Sequence, residues 1–378
     1  RMNLSIFAQK TISGAEGLSL LAIPFFVCAG IFMNYTGVTK RIMNCCEVLT
    51  ARMPGGLAQV NILLSTLMGG LSGSSLADAA MQCKMLVPTM ESKGYSKSFS
   101  TVITAASGMV VPLIPPGVGL IIYGCINNIS IGKLFIAGIG PGIVLCVTLM
   151  IFTHFLSKKR GYLPSRTTKI PVSEKIAAVR PAFLPLLLPI IIIGGVRIGV
   201  FTASEAGTVA IVYAVLLGLL YKELTLKNVM QGCKETVTTT ASIMLIVAAA
   251  TCFSWILTKE QIPQQFSQWM ISNIHNKYVF LIMVNIFLLI VGMFIEGNAS
   301  MIVLAPLLHP VAMAYGIDDI HFAMVYIFNC TIGAFTPPMG TLMFVSCGIT
   351  KCPTKDFIKE AVPFYILFAI DIIVLFHS

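Results

Sequence analysis

Long apolar segments dominate the hydrophobic pattern of the chain, and short polar segments separate them. A run of about 20 apolar residues is long enough to cross a bilayer as a helix. The pattern predicts spans at residues 18–36, 99–126, 133–156, 182–200, 203–221, 237–257, 320–349 and 361–377. The sequence therefore predicts an all-α polytopic protein that lies in a lipid bilayer.

Two of the predicted spans contain a proline pair. Pro115-Pro116 lies in the span 99–126, and Pro337-Pro338 lies in the span 320–349. Proline lacks a backbone donor and interrupts a helix, so we expect both spans to be broken helices. Irregular backbone is tolerated at membrane depth only where protein buries it or where it lines a cavity. Broken helices at corresponding places in two halves of a membrane protein point to the binding site of a transporter.

Two other apolar regions, 57–91 and 278–316, are each long enough for two helical legs. Small and polar residues interrupt them in the middle, at Gly69–Ser75 in the first region and at Glu296–Ser300 in the second. We interpret both regions as re-entrant helical hairpins, which enter and leave the membrane on the same side. Each hairpin precedes a broken helix, so the two halves of the chain have the same order of elements.

The loop cations predict the orientation of these elements. If the first span ends in the cytoplasm, the Lys and Arg residues within 40–52, 93–97, 158–180, 222–234 and 351–359 lie on the cytoplasmic side, and Lys133, Lys259 and Lys277 lie outside. The positive-inside rule requires such an asymmetry, which would be lost if either hairpin region crossed the membrane once. The two halves then have opposite orientations. Inverted repeats of this kind are typical of alternating-access carriers.

This topology divides the chain into five parts. We expect an N-terminal arm and scaffold helix at 1–56, and a first transport half, made of a hairpin and a broken helix, at 57–132. Scaffold helices and a basic cytoplasmic connector follow at 133–256, a second transport half at 257–350, and a C-terminal scaffold helix at 351–378. Because the chain begins with Arg1 rather than methionine, we also expect it to be N-terminally incomplete.

The composition agrees with a membrane protein. Hydrophobic residues make up 56% of the chain and charged residues 11%, against about 25% charged residues in soluble domains. The net charge of +10 comes from short loops beside apolar segments, which indicates topology rather than a nucleic-acid partner. The 11 cysteines show no paired metal-binding motif, so we interpret them as small buried hydrophobic residues that stay reduced.

The interrupted regions carry oxygen atoms suited to a hard monovalent cation. Hydroxyls and free carbonyls, without obligatory carboxylates, are typical of Na⁺ sites in carriers. We predict two or more Na⁺ ions, held by two sets of residues. The first set is Ser72, Ser75, Gly108, Val111 and Ile114. The second set is Gly292, Asn298, Gly333, Thr336 and Met339. The alternative is that these small residues only permit close helix packing.

Charged residues inside membrane segments are candidates for function, because burying them without a partner is costly. Asp78 follows the tip of the first hairpin and Glu296 stands at the tip of the second. We predict that Ser74, Asp78 and Glu296 face a substrate. The alternative is that each carboxylate caps the N-terminus of a short helix, where a negative charge is favourable.

An enzyme is a further alternative. Gly70–Gly73 has the Gly-x-Ser-Gly pattern of rhomboid-type intramembrane proteases, with Ser72 as the candidate nucleophile, and His309 is the histidine well inside an apolar run. The inverted repeat has no explanation in a protease. The sequence contains no Walker loop, so an ion gradient rather than ATP hydrolysis must supply the energy for transport.

Taken in order, the motifs resemble the large membrane subunit of tripartite ATP-independent periplasmic (TRAP) transporters over essentially the whole chain. The matching segments are Leu21–Phe26, Ala29-Gly30, Gly73–Asp78, Pro112–Gly117, Tyr123-Gly124, Leu304–Pro306 and Phe335–Gly340. Their order and spacing together make the resemblance specific.

The resemblance implies an elevator-type carrier in a bacterial inner membrane, in which scaffold and transport domains move relative to each other. It implies symport of an organic acid, of the C4-dicarboxylate or sialic-acid type, with Na⁺. The implied partners are a small membrane subunit and a periplasmic substrate-binding protein. Two residues depart from the family pattern: Gly117 replaces a frequent serine at a position that contacts substrate, and Glu296 replaces a common aspartate. The remaining alternative is a single-component Na⁺/organic-anion symporter.

Overall fold

A computed structural model describes residues 4–166, 168 and 170–377. The described residues form helices and connecting segments, with a 3₁₀ helix at Leu18–Leu21. In chain order the α-helices are α1 (Leu4–Ser13), α2 (Ala22–Tyr35), α3 (Val38–Thr50), α4 (Gly56–Ser72), α5 (Ser75–Ser92), α6 (Lys97–Gly108), α7 (Val118–Asn127), α8 (Ile131–Lys159), α9 (Val172–Ile198), α10 (Ala203–Leu220), α11 (Leu226–Lys259), α12 (Ile262–Asn273), α13 (Lys277–Phe294), α14 (Gly297–Ala314), α15 (Asp319–Phe335), α16 (Thr341–Thr350) and α17 (Thr354–His377).

Six of the described helices are long and apolar enough to cross a membrane: α8, α9, α10, α11, α13 and α14. The pair α2 and α3 passes the same test together, although the two helices are bent by 69°. The prediction of an all-α polytopic membrane protein is therefore confirmed.

The bend after α2 is a feature that the sequence analysis did not predict. Residues 38–50 were expected to be a loop, and the structure places helix α3 there. Gly37 lies in the left-handed region at φ 69°, which glycine adopts without steric cost. The Arg41 guanidinium donates to the Gly37 carbonyl at 2.9 Å and lies 3.7 Å from the centre of the Tyr221 ring. These contacts hold α3 against the end of α10.

The first hairpin is formed by α4 and α5. It turns at Gly73, which has φ 61° and whose N–H donates to the Gly69 carbonyl. Both ends of the hairpin meet at Tyr162: the Gly55 N–H donates to the Tyr162 carbonyl at 3.1 Å, and the Ser96 N–H donates to the Tyr162 hydroxyl at 3.2 Å. The hairpin therefore begins and ends on the side of the basic connector.

The second hairpin is formed by α13 and α14. It turns at Ile295 and Glu296, which both have extended backbone. Its two ends also lie together, because the Tyr315 hydroxyl donates to the Ile274 carbonyl at 2.9 Å. Each hairpin thus returns to the end at which it starts.

A broken helix follows each hairpin. Helix α6 ends at Gly108 and α7 begins at Val118, while α15 ends at Phe335 and α16 begins at Thr341. Each gap contains a cis peptide bond, Pro115-Pro116 in the first and Pro337-Pro338 in the second. A buried asparagine joins each first hairpin leg to its broken helix. Asn61 donates to Thr104 at 2.6 Å, and Asn329 donates to Asn285.

The two halves pack together in a crossed manner. Helix α5 of the first hairpin packs on α16 of the second broken helix, and α14 of the second hairpin packs on α7 of the first. Tyr123 of α7 and Tyr326 of α15 have ring centres 5.6 Å apart, and the Tyr326 hydroxyl donates to the Ser300 carbonyl of α14 at 3.1 Å. The hairpins and broken helices therefore share one core.

Helices α8 and α17 pack against this core. Helix α8 contacts α4, α7 and α15, and α17 contacts α6, α15 and α8. Arg160, directly after α8, forms an ion pair with Glu360 of α17 at 2.6 Å. The sequence analysis places both helices in the scaffold. The other predicted scaffold helices, α2, α9, α10 and α11, pack mainly among themselves and with α1 and α3.

Close glycine contacts hold the first hairpin legs against the broken helices. A Cβ atom on Gly69 would lie 3.1 Å from the Val111 Cα, and a Cβ atom on Gly292 would lie 2.9 Å from the Gly333 Cα. The obstructing atoms belong to backbone, which cannot rotate away as a side chain would. The two pairs occupy equivalent places in the two halves, one turn or less from each hairpin tip.

We expect Gly292→Val to destabilise the protein, because the added side chain must push α13 away from α15. Overpacking of this kind costs about 1–3 kcal/mol. Thermal unfolding of the purified protein in detergent measures the effect. The matched control is Gly194→Val in α9, since a Cβ atom at Gly194 meets nothing within 4 Å. Equal melting temperatures for the two variants would contradict the close contact.

Candidate functional site

The two hairpin tips meet at a single cavity of about 160 Å³. By this measure a water molecule needs roughly 10–15 Å³, so the cavity has room for a small organic molecule. Both hairpins, both broken helices and the scaffold helices α2 and α11 contribute to its lining. The lining residues that carry polar side chains are Asn34, Ser72, Ser74, Ser75, Thr239, Glu296, Asn298, Thr331 and Thr341.

Four helices begin at the cavity. Its lining includes Ser75 to Ala77 at the start of α5, Val118 and Gly119 at the start of α7, Gly297 and Asn298 at the start of α14, and Thr341 at the start of α16. The first turn of a helix has unpaired N–H groups and the positive end of the helix dipole. These helix starts therefore make the cavity favourable for an anionic group.

Ser74 and Glu296 occupy equivalent positions in the two hairpins. Each is the N-cap of the second leg: the Ser74 hydroxyl accepts from the Ala77 N–H at 3.5 Å, and Glu296 Oε2 accepts from the Ala299 N–H at 3.0 Å. Both residues also line the cavity. Glu296 therefore caps α14 through one carboxylate oxygen, as the capping alternative predicts, and the residue also lines the cavity.

Asp78 lies elsewhere. Its side chain is buried among α4, α5 and α6 and does not line the cavity. Asp78 Oδ2 accepts from the Ser65 hydroxyl at 2.7 Å and from the Gln82 amide at 2.8 Å, and Ser65 lies 3.0 Å from the Ser107 hydroxyl. The predicted contact of Asp78 with substrate therefore has no support in this geometry. The residue instead joins the two legs of the first hairpin to the broken helix.

The first predicted cation set is split between the cavity and the break in the helix. Ser72 and Ser75 line the cavity. Gly108, Val111 and Ile114 lie in or beside the interrupted segment after α6, where Val111 and Ile114 contact Gly69 of α4. The C-terminal ends of α4 and α6 thus meet here, and helix C-termini carry free carbonyls and the negative end of the dipole.

The second predicted cation set has the same arrangement. Asn298 lines the cavity, and Gly292 meets Gly333 where α13 and α15 approach their ends. Thr336 caps α15 and donates its hydroxyl to the Ile332 carbonyl at 2.7 Å. Met339 is different, because its side chain is 54% exposed and it is not among the lining residues.

Gly117 is closed off by its own backbone surroundings. A Cβ atom at this position would lie 2.2 Å from the Pro112 carbonyl oxygen. Any side chain therefore requires the turn between Pro112 and Gly117 to open. Gly340 has the equivalent place before α16, where a Cβ atom would lie 2.5 Å from the Ala334 carbonyl oxygen. Gly117 thus permits the tight turn that begins at Pro112, and it has no side chain with which to bind a ligand.

The sequence analysis missed the scaffold side of the cavity. Asn34 of α2 and Thr239 of α11 line it opposite the hairpin tips. Both fall inside predicted apolar spans, 18–36 and 237–257. Their polarity within such a span is the sequence signal that could have identified them as site residues. The Tyr35 hydroxyl, next to Asn34, donates to Glu235 of α11 at 2.7 Å. This bond joins the two helices one turn from Thr239.

The geometry gives no support to a serine protease. The Ser72 hydroxyl donates to the Met68 carbonyl at 3.2 Å. His309 Nδ1 lies 3.2 Å from the Tyr123 hydroxyl in the aromatic core between α7 and α14. A nucleophilic serine needs a base within hydrogen-bond reach, and the described contacts of Ser72 include no histidine.

Known proteins are similar to this chain over nearly its whole length. The family model of the DctM component of tripartite ATP-independent periplasmic transporters matches residues 1–377. The large permease protein SiaM of the sialic acid TRAP transporter of Vibrio cholerae is 41% identical, over 97% of this chain and 87% of that protein. The large permease protein DctM of the C4-dicarboxylate TRAP transporter of Pseudomonas aeruginosa is 36% identical, over 97% of this chain and 86% of that protein.

Solved structures show the same fold at low sequence identity. The YdaH transporter of Alcanivorax borkumensis superposes with a TM-score of 0.67 at 13% identity, covering 99% of this chain and 88% of that chain. MtrF of Neisseria gonorrhoeae gives a TM-score of 0.65 at 13% identity, covering 99% of this chain and 83% of that chain. The family match and the two permeases confirm the resemblance to TRAP large permeases. The chain belongs to the large permease family of TRAP transporters, and it is a multi-pass transport protein of the bacterial inner membrane rather than an enzyme.

Proposed function

We propose that this chain is the membrane permease of a Na⁺-coupled TRAP transporter that imports an organic acid. The observation that carries this proposal is the meeting of helix ends at one cavity. Helices α5, α7, α14 and α16 begin at its lining, while α4, α6, α13 and α15 end beside it. N-terminal ends favour a carboxylate, and C-terminal ends favour a cation. The same small volume therefore suits both an organic anion and Na⁺.

The proposal includes two sodium ions. The first would bind between the tip of the first hairpin and the interrupted segment 109–117, and the second between the tip of the second hairpin and the segment 336–340. Ser72 and Thr336 supply hydroxyls at these places. Each sodium ion that crosses 100 mV contributes about 2.3 kcal/mol. A monoanion carried with two ions moves one net positive charge, so 100 mV alone would support a roughly fiftyfold concentration ratio, to which the sodium concentration gradient adds.

The contacts support an elevator mechanism with an inverted repeat. The two hairpins and the two broken helices share one core, and α8 and α17 pack on it. We assign α8 and α17 to this moving body rather than to the scaffold. The moving body meets the scaffold at a small-residue contact, where a Cβ atom on Gly30 of α2 would lie 2.6 Å from the Ser72 carbonyl oxygen. A contact without interlocking side chains allows two bodies to slide.

The proposed partners are inferred from the family to which the chain belongs. Relatives of this chain are large permeases of TRAP transporters for sialic acid, C4-dicarboxylates and 2,3-diketo-L-gulonate. We propose that a small membrane subunit braces the scaffold and that a periplasmic binding protein delivers an organic acid. Transport of free substrate by the purified chain alone would instead indicate a single-component Na⁺/organic-anion symporter.

We expect uptake into proteoliposomes to require an inward sodium gradient. The assay reconstitutes the chain with its small subunit and binding protein, and compares sodium with potassium at equal ionic strength. Uptake should fall to the background level in potassium, because the helix C-termini then lack a cation of the right size. Unchanged uptake in sodium-free buffer would reject the coupling.

Ser72→Ala and Thr336→Ala should each weaken the apparent affinity for sodium. Loss of one neutral oxygen contact corresponds to about 1 kcal/mol, which is roughly a fivefold rise in the half-saturating sodium concentration. Ser242→Ala is the control, because this exposed serine of α11 bonds only to the Thr238 carbonyl of its own helix among the described residues. If all three variants keep the same sodium dependence, the two hydroxyls do not bind the ion.

Gly30→Val should block transport without preventing assembly. The added side chain meets the backbone of Ser72, so the tip of the first hairpin can no longer occupy its present place beside α2. We expect uptake to fall at least tenfold while the variant still copurifies with the small subunit. Gly194→Val again serves as the control. Full activity of Gly30→Val would contradict a sliding contact at this position.

A further inference from the structure

A gap of about 830 Å³ lies between the scaffold and the moving body at the base of the first hairpin. It is about five times larger than the cavity at the hairpin tips. Asn44, Glu47 and Val48 of α3 form one wall, and Thr89 and Lys93 at the end of α5 form the other. Protein interiors are otherwise closely packed. The gap therefore gives the end of α5 room to move toward α3.

Two chain connections between the bodies run along this gap. One joins α3 to α4, and the other joins α8 to α9. They are tied together on the side of the moving body, where the Gly55 N–H donates to the Tyr162 carbonyl at 3.1 Å. They are tied again on the side of the scaffold, where the Arg166 N–H donates to the Ala51 carbonyl at 2.9 Å. Two short connections that lie side by side permit rotation more readily than separation, so the pair forms a hinge.

Arg166 also fixes α3 to the scaffold. Its guanidinium forms an ion pair with Glu174 of α9 at 2.5 Å, while its N–H bonds to Ala51 at the end of α3. Helix α3 packs on α9 and, beside the hinge, on α4. The wall that α3 forms therefore stays with the scaffold, and the wall that α5 forms travels with the moving body.

The two walls carry opposite charges. The charged residues that line the gap are Glu47, Lys93, Arg160, Arg166 and Glu174. Arg166 and Glu174 pair with each other on the scaffold side, and Arg160 pairs with Glu360 within the moving body. Among the described residues, Glu47 and Lys93 form no ion pair. One anion of the scaffold and one cation of the moving body are thus left facing the same gap.

We propose that Lys93 and Glu47 form an ion pair across the gap when the moving body swings on this hinge, and that the pair stabilises the state in which the gap is closed. The inference rests on the elevator movement in the proposed function, and it adds a residue pair that holds one end of that movement. The ion pair is a positioning contact, since neither residue lines the cavity at the hairpin tips.

The exposure of both side chains limits the size of the effect. Water and salt screen an exposed ion pair, so its contribution corresponds to a roughly twofold to fivefold change in the ratio of the two states. A contact of this strength can form and break in every cycle. A much stronger contact would trap the carrier with the gap closed.

Lys97 provides a matched contrast to Lys93. It is an exposed cation beside the same hairpin base, and it pairs with Glu91 of the moving body at 3.6 Å. If these lysines served only to orient the chain in the membrane, the two would be equivalent, because each adds one positive charge to the same side. The proposal separates them, because Lys93 lines the gap and Lys97 does not.

Two cysteines placed beside the pair report closure of the gap. Asn44→Cys and Thr89→Cys lie on opposite walls, each one helical turn from Glu47 or Lys93. A disulfide between them requires their Cα atoms to come within about 7 Å. The chain also carries Cys233→Ser, because Cys233 is exposed, and it is reconstituted with its small subunit in proteoliposomes. Brief oxidation in sodium buffer and in potassium buffer is followed by mass spectrometry, which identifies the disulfide.

We expect the disulfide to form in at least one buffer, and its initial rate to fall roughly twofold to fivefold in Lys93→Glu and in Glu47→Lys. The variant with both changes should regain the parent rate, since the ion pair is restored with its charges exchanged. Lys97→Glu should keep the parent rate. Choline chloride at about 1 M should remove the differences, because the Debye length is then only about 3 Å.

Two results would overturn the inference. Absence of the disulfide in both buffers would show that the walls do not meet. A double variant as slow as Lys93→Glu alone would show that the walls meet without pairing the two charges. Either result can stand beside sodium-dependent uptake by the unmodified chain, which is measured in parallel. Loss of that uptake would instead count against the proposed function itself.

Discussion

Hydrogen bonding of the backbone in a medium without water constrains this fold more than any other interaction. A continuous helix satisfies its own groups, but each interrupted helix leaves several N–H and C=O groups open. The chain interrupts its helices at both hairpin tips and at both proline pairs, and brings these interruptions to one cavity. Some open groups find partners there: Ser74 and Glu296 cap two helices, and the Val118 N–H donates to the Gly73 carbonyl. The remaining groups are what a charged ligand can use.

Small residues make this convergence possible. Gly69 against Val111, Gly292 against Gly333 and Gly30 against Ser72 are all contacts in which a side chain would meet backbone. Helices in a membrane gain little from the hydrophobic effect when they associate, so close van der Waals contact and interhelical hydrogen bonds must stabilise them. The Asn61–Thr104 bond and the Asp78–Ser65 bond provide such hydrogen bonds in the first half. Asp78 is buried because it takes part in this interhelical hydrogen bonding. Its partners, Ser65 of α4 and Gln82 of α5, lie between the helices rather than in the cavity.

The sequence was sufficient to predict the elements that depend on local chemistry or on charge balance. The proline pairs fix the breaks near 115 and 337, and the loop cations favour two hairpins whose ends lie together, as the contacts at Tyr162 and Tyr315 show. Features that depend on tertiary contacts were beyond prediction. Helix α3 follows a bend at Gly37 that Arg41 and Tyr221 stabilise from different parts of the chain.

Within the candidate site, sequence reasoning identified the tips but not the opposite wall. Ser72, Ser74, Ser75, Glu296 and Asn298 were recognisable because small and polar residues interrupt an apolar run there. Asn34 and Thr239 are single polar residues in scaffold spans, and only the assembled fold brings them to the same cavity. Met339 was predicted as a member of the second cation set on the broken helix, but a place on that segment does not direct a side chain toward the interior.

The geometry of the tips offers a physical reason for coupling an anion to a cation. In the first hairpin, α4 ends at Ser72 and α5 begins at Ser75, so only two residues separate the carbonyl end of one helix from the N–H end of the next. A cation bound at the carbonyl end of α4 would hold the short turn that leads into α5. Its positive charge would also lower the free energy of placing a carboxylate at the start of α5. In the proposed mechanism, binding of either ion would therefore improve the site for the other. Because this advantage is reciprocal, an anion in the proposed mechanism also retains the sodium ions while the moving body crosses the membrane.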